Sequence, residues 1–354
     1  MILEGKRILV TGGTGSMGKT LVQRVLSGEL GTPNKVIVFS RDEAKQHEMR
    51  LAFQHKTRTT DEVIYRNFMQ VLEFRIGDVR DFGAVCSAVK RADIVINAAA
   101  LKQVPSCEYF PGEALLTNCI GAYNIVRAIE ENDYPVETVV AISTDKACKP
   151  INVMGMTKSL QERIFVAANI LNPKTRFIGV RYGNVLASRG SVIPLFHEQI
   201  ARGGPVTITA PQMTRFLLSL DRAVDTVFAA LRQAKPGEIY VPDVPSATVA
   251  NIVKALIGNR KVGTEIIGVR PGEKLHEIMV SEEEVHHCIR RGGYYVIKSM
   301  LPELNTGKRE PNALKKEFSS ADNVIGYSAT VKLLRQHHLM AEDTSGPGEG
   351  ELLR

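Results

Sequence analysis

Short runs of consecutive apolar residues recur along the first half of the chain, each bounded by glycine or polar residues. Residues 7–10, 35–39, 72–76, 94–97, 139–142 and 176–181 have the length and branched-aliphatic content of strands buried on both faces. Between them lie segments of helical period, such as 19–26 with apolar Leu21, Val22, Val25 and Leu26, and a longer one from Ala114 to Glu130. Strands alternating with helices predict an α/β fold, a Rossmann-type doubly wound parallel sheet. After Tyr182 the rhythm breaks into glycine- and proline-bearing segments such as 188–191 and 203–205. The expected organisation is therefore a sheet domain over 1–182 to which elements at about 216–242 return. A smaller C-terminal substrate-binding domain is expected from 183–215 and 243–335. Residues 51–70 are polar and poorly periodic, predicting a helix end and a surface connection, and the Glu- and Gly-rich stretch 336–354 predicts a flexible tail.

The chain of 354 residues is 44% hydrophobic and 23% charged, the balance of a soluble globular protein. Its net charge of +7 is spread along the sequence with no basic tract interleaved with aromatics. That pattern favours an anionic small ligand over nucleic acid. The cysteines, Cys86, Cys107, Cys119, Cys148 and Cys288, are scattered without a CxxC pair, which fits a reducing compartment. No charged leader precedes a long apolar region, and no apolar run approaches a bilayer span, so a cytoplasmic protein without membrane segments is expected. The cluster Glu284, His286, His287 and Cys288 lacks a second ligand group, and adjacent helical histidines point apart, so no metal is predicted.

The first strand runs into Thr11-Gly12-Gly13-Thr14-Gly15-Ser16-Met17-Gly18 and then a helix, the context in which a glycine turn brings backbone N–H groups against a pyrophosphate. The second strand ends in Ser40-Arg41-Asp42. An arginine there accommodates a ribose 2′-phosphate, predicting NADP over NAD, although Asp42 lies close and a solvated turn is the plain alternative. Asp78 is placed to accept from an adenine amino group with Val79 beside the ring, and the small residues Ala98, Ala99 and Ala100 let the backbone pass close to a cofactor. Asn118 is either a packed polar group or a tether for the neighbouring site. Another strand ends in Ser143-Thr144-Asp145-Lys146, a hydroxyl, a carboxylate and an amine at a strand end; their plain reading is a surface ion pair. Met154 and Lys158 are spaced to share one helix face.

The stretches 11–18 (TGGTGSMG), 77–81 (GDVRD), 97–100 and 181–185 (RYGNV) resemble signatures of the extended short-chain dehydrogenase/reductase superfamily. Stretches 100–108, 143–147, 153–158 and 188–196 look more narrowly like the inverting, 5-epimerising UDP-N-acetylglucosamine 4,6-dehydratases, in the capsule-type branch where methionine replaces the superfamily tyrosine. The resemblance implies an NADP-dependent lyase of nucleotide-sugar metabolism, acting on a UDP-sugar as a homo-oligomer, with a hexamer as one form. Its product would be UDP-2-acetamido-2,6-dideoxy-β-L-arabino-hexos-4-ulose, for bacterial surface polysaccharide. It assigns Asp145 as the acid toward the C6 hydroxyl and Lys146 as the C5 base, a lysine that burial or a neighbouring cation would bring toward neutral pH. Lys158 would keep its contact with the nicotinamide ribose. A thioether cannot cycle a proton, so Met154 is no base. The C4 hydroxyl proton is left to Lys146, Asp145 or a water held by Thr144. Lys102, near cofactor and sugar, and Asn184 with Val185 would line the substrate. Arg215, Arg270 and Glu273 would bind the uridine diphosphate, though each is equally readable as surface charge. A UDP-sugar 4-epimerase, a dehydratase that stops at an earlier intermediate, and a non-catalytic NADP-binding regulator are the competing readings.

Overall fold

The computed structural model describes residues 1–54, 70–186, 191–305 and 310–340. Strands β1 (Arg7–Thr11), β2 (Lys35–Ser40), β3 (Leu72–Ile76), β4 (Ile94–Asn97), β5 (Thr138–Thr144) and β6 (Arg176–Tyr182) pair in parallel in the order β3-β2-β1-β4-β5-β6. The chain then forms β7 (Val206–Ile208), β8 (Thr214–Phe216), β9 (Ile239–Pro242), β10 (Ser246–Thr248) and β11 (Thr264–Ile266). It continues through β12 (Ile278–Val280), β13 (Cys288–Arg291), β14 (Tyr294–Ile297) and β15 (Phe318–Ser319). β9 joins β6 in parallel, and β14 and β13 follow antiparallel, making nine strands in the main sheet among the described residues.

Alternation along each central strand feeds two separate cores. Ile8, Val10, Val36, Val38, Val140 and Ile142 face one layer, packed by helices Ser16–Leu26 and Leu220–Gln233. Leu9, Ile37, Phe39, Val139 and Ala141 face the other, packed by helices Phe82–Val89, Gly121–Asn132 and Val153–Leu171. Apolar runs without alternating polar residues are what a sheet covered on both faces requires. Strand order reverses between β1 and β4, and there the carboxyl ends of the strands open a crevice. A third apolar cluster joins helices Val192–Ala201, Val249–Ile257 and Tyr327–Gln336 over β7 and β10.

The structure departs from three sequence expectations. β13 and β14, expected with the substrate-binding part, extend the main sheet instead, because the Tyr294–Ile297 strand registers against β9. Leu339 and Met340 are buried in the third cluster, so packing continues past 336, where a flexible tail was expected to begin. The single helix expected from Ala114 to Glu130 is interrupted by a π-helical turn at Leu115–Ile120. Residues 55–69, 188–190 and 341–354, to which the surface connection, part of the 188–196 stretch and the rest of the tail belong, lie outside the described residues. No described helix is long and apolar enough to cross a membrane.

Candidate active site

The glycine-rich turn sits at the mouth of the crevice, and its geometry fits a dinucleotide. Gly12 has φ +65°, and a Cβ there would lie 2.7 Å from the backbone of Ala99. A Cβ on Gly18 would lie 2.5 Å from Gly13 Cα, so only glycine lets the helix start pack against the turn. Gly15 caps the Ser16–Leu26 helix without a side chain, leaving its first N–H groups facing the crevice beside buried Thr14. Opposite, Thr11 Oγ1 donates to Asn97 Oδ1 (2.7 Å) and accepts from the Ala99 N–H, which fixes the Ala98–Ala100 passage against β1.

At the end of β2, Asp42 turns away to cap the following helix, accepting from the Lys45 N–H at 3.0 Å and pairing with the Lys45 ammonium. Arg41 remains exposed and approaches Asp78 at 3.8 Å. Asp78 also accepts from the Arg80 guanidinium (3.0 and 2.7 Å) and backbone N–H. Two guanidiniums therefore converge on the Asp78 carboxylate. Ser40 Oγ accepts from Gln46 Nε2 (3.1 Å), and Val79 is buried against Gly121.

Beyond the end of β5 lies a buried charge cluster. Asp145 opens a 3₁₀ turn over Asp145–Ala147; its side chain is wholly enclosed. Thr144 Oγ1 donates to Asp145 Oδ1 at 2.8 Å. Lys146 Nζ bridges Asp145 Oδ1 (3.1 Å) and Glu277 Oε1 (3.0 Å), and Arg215 Nε stands 4.0 Å from the same Glu277 oxygen. The other oxygens, Asp145 Oδ2 and Glu277 Oε2, are buried with no hydrogen-bond partner among the described residues. Burial first, then the negative Glu277, pushes the Asp145 carboxyl above its ordinary range despite Lys146. Burial opposes charge on Lys146 as well, but Asp145 and Glu277 outweigh it and raise its ammonium. The sequence expectation of a lysine lowered by its surroundings is thereby corrected: burial and the Arg215 guanidinium do lower it, but Asp145 and Glu277 raise it by more.

The Val153–Leu171 helix begins against this turn. A Cβ on Gly155 would lie 2.2 Å from the Lys146 carbonyl oxygen, so the glycine permits the contact. Met154 points into a small apolar cluster with Cys107 and Ala114. Lys158 Nζ donates to the carbonyl of Ile142 and to Gln161 Oε1. Asn118, in the π turn, ties the pieces together: it accepts from Leu101 N–H (2.8 Å) and donates to Leu101 O and Thr157 Oγ1 (both 3.0 Å). π turns of this kind recur at functional sites.

Lys158 is fully enclosed, and burial pushes it down to about 8. Its charge therefore opposes folding below about pH 8, and the cost fades as the folded amine loses its proton ahead of the unfolded one, near 10.5. Stability should rise with pH across that window. Urea denaturation is expected to show the native chain gaining on Lys158→Met between about pH 8 and pH 10. A constant gap would show that Lys158 does not titrate there.

Residues 8–299 match a protein family described as polysaccharide biosynthesis protein. The chain belongs to that family. An inverting UDP-N-acetylglucosamine 4,6-dehydratase of Campylobacter jejuni subsp. jejuni serotype O:23/36 (strain 81-176) is 44% identical, over 94% of this chain and 97% of its own. A UDP-glucose 4-epimerase of Rickettsia bellii (strain OSU 85-389) is also 44% identical, over 86% of each chain. The X-ray structure of Pen from Bacillus thuringiensis superposes with a TM-score of 0.85 at 31% identity, covering 96% of this chain and all of that chain. DesIV, a dTDP-glucose 4,6-dehydratase from Streptomyces venezuelae, shares the fold, with a TM-score of 0.63 at 19% identity over 76% of this chain and 86% of its own.

Within this family member, the sequence-predicted residues fall into two groups. Asp145, Lys146, Thr144, Met154 and Lys158 gather around the end of β5 and the start of the Val153–Leu171 helix. Arg215 joins them from β8, with Nη1 held by the carbonyls of Thr214 and Leu275 and its Nε side toward Glu277. Asn184 Oδ1 and Glu273 Oε2 are buried without partners among the described residues, whereas Lys102 and Arg270 are exposed. Val185 bridges to Leu218. Glu284, once a candidate for metal, is bound by Arg181, which also holds Glu162 in a buried network. Sequence reasoning missed Glu277. It follows Glu273 and Lys274 in the same stretch, but only the fold carries it under Lys146.

Proposed function

We propose that this chain is an NADP-dependent, inverting UDP-N-acetylglucosamine 4,6-dehydratase that serves bacterial surface polysaccharide synthesis, capsule included, as a cytoplasmic homo-oligomer. The observation that carries the reading is the enclosed Asp145–Lys146 pair at the end of β5, beside a helix whose tyrosine position holds Met154 in an apolar cluster. The 44% identical Campylobacter relative, named for this reaction, supports it. In this reading residues 1–182 with 216–242 hold the cofactor, and residues 183–215 and 243–335 supply most contacts to the sugar nucleotide.

A nicotinamide cofactor, held by the 11–18 turn and Lys158, would supply the redox chemistry, hydride exchange with the hexose. Asp145, whose carboxyl is pushed above its ordinary range by burial and by Glu277, is the acid that donates a proton to the departing C6 hydroxyl. Lys146 faces C5 and takes the proton that the C4 ketone has acidified. Reprotonation from the other face inverts that centre. Met154 neither accepts nor donates, and Lys158 holds the nicotinamide ribose. Support for NADP over NAD comes from Asp42, engaged by Lys45, and from Arg41, exposed just beyond β2, where a guanidinium can take a 2′-phosphate.

A 4-epimerase is the second reading, favoured by the name of the equally similar Rickettsia relative. Incubation with UDP-N-acetylglucosamine and NADP in deuterated water separates the two. The expected product is a 4-keto-6-deoxy sugar with deuterium at an inverted C5, formed faster with NADP than with NAD. Recovery of a C4 epimer without solvent label would replace the dehydratase by the epimerase, and cofactor binding without turnover would leave a regulator.

A further inference from the structure

A lysine that must remove a proton from carbon cannot act as an ammonium, and Lys146 Nζ lies between Asp145 Oδ1 and Glu277 Oε1, a setting that favours its charged form. Its own proton needs a destination. The dehydratase reading reserves Asp145 for the proton that goes to the C6 oxygen. Among the described residues, Glu277 is the other carboxylate within hydrogen-bond reach of Lys146 Nζ.

We propose that Glu277 is the proton store for Lys146, a positioning residue that converts the ammonium to the amine acting on C5; this rests on the dehydratase reading above. Its setting suits the task. Glu277 precedes β12 and is locked by reciprocal bonds with Ser320: its N–H donates to Ser320 Oγ (2.9 Å), and its carbonyl accepts from the Ser320 N–H (2.8 Å). The side chain is 2% exposed, with Oε1 on Lys146 and Oε2 unpartnered among the described residues. Arg215 and Lys274 are the other cations that act on it. Without substrate, Lys146 and Arg215 keep Glu277 ionised. Exclusion of water by a bound sugar nucleotide penalises both ions of the pair and favours its neutral form.

The step balances. A proton moves from Lys146 Nζ to Glu277, and the freed electron pair takes the C5 proton. The C5–H electrons form the C5–C6 double bond, and the C6–O bond breaks as Asp145 donates its proton to form water. The proton on Glu277 then returns through Lys146 to Asp145, which resets the cluster. Within this elimination one proton leaves C5 and one is consumed at the leaving hydroxyl.

The test uses the full-length, cofactor-loaded protein with UDP-N-acetylglucosamine. Glu277→Gln is expected to lose about 100-fold or more in kcat at every pH, with KM changed less than about threefold and C4 oxidation in a single turnover preserved. Glu277→Asp, which restores a carboxylate, should recover at least about a tenth of native turnover. A Glu277→Gln variant that keeps native kcat overturns the proposal. So does one whose pH profile only slides to lower pH at full plateau, because Glu277 would then merely raise the Lys146 ammonium. A native chain that makes no dehydrated product defeats the dehydratase reading instead. A second readout does not depend on that variant folding. In Asp145→Asn mixed with substrate, infrared difference spectra should show a new protonated carboxyl from Glu277, and its absence also overturns the proposal.

Discussion

Asp145→Asn is expected to lower turnover of UDP-N-acetylglucosamine by about 10²–10⁴-fold, the usual worth of a positioned general acid, without unfolding the chain. The two effects separate because the carboxyl is poor for stability and good for chemistry. It is wholly enclosed, shares Lys146 with a second carboxylate, and has one oxygen without a partner among the described residues. An amide keeps the shape, still accepts from Thr144 and Lys146, and cannot ionise beside Glu277. It also leaves a buried N–H group unpaired on the Gly183 side, and these opposing terms are each of order 1–3 kcal/mol. The melting temperature should therefore stay within about 3 °C of native. Oxidation at C4, read as cofactor reduction in a single turnover, should survive while water loss does not. If product still forms at the native rate, the C6 proton comes from elsewhere.

The second large effect is steric. In Gly155→Ala the added Cβ meets the Lys146 carbonyl oxygen at 2.2 Å, a contact with backbone that no rotamer relieves. Either the helix start or the Asp145–Ala147 turn must move by an ångström or so. Displacements of that size at reacting groups cost on the order of 100-fold in rate. Overpacking of this kind costs about 1–3 kcal/mol of stability. Gly112→Ala is the matched control, since nothing lies within 4 Å of its Cβ position. Denaturation and steady-state rates on the pair check both numbers, and equal behaviour of the two variants would mean that the helix start is not held against the turn.

Much of the fold was legible because local pattern and tertiary role coincide. Ile8, Leu9 and Val10 are apolar in succession since they serve two different cores, and Gly12 and Gly18 are required by backbone contacts that a Cβ would violate. Asp145 and Lys146 were legible as a pair because they are neighbours in sequence at a strand end. What escaped was set at a distance. The Lys146 ammonium is raised rather than lowered because Glu277 arrives from the far side of the fold, and no spacing rule connects the two positions. Arg215 reads as an anion-binding arginine until β8 turns one side of it toward that same glutamate. The hairpin Cys288–Ile297 did carry a local signal, Gly292-Gly293 between two β-rich runs, but its pairing with β9 depends on which edge the earlier strands leave open.

That hairpin also decides how the sheet ends. Without it β9 would present its backbone donors and acceptors along an apolar strand, an invitation to any other unpaired strand in a crowded cell. With it, one outermost strand is β13, which carries Arg290 and Arg291 secured by Asp243 and Glu238. Charge on an edge strand discourages a further strand from adding there. Variants that neutralise both arginines would therefore threaten solubility during expression before they threatened catalysis.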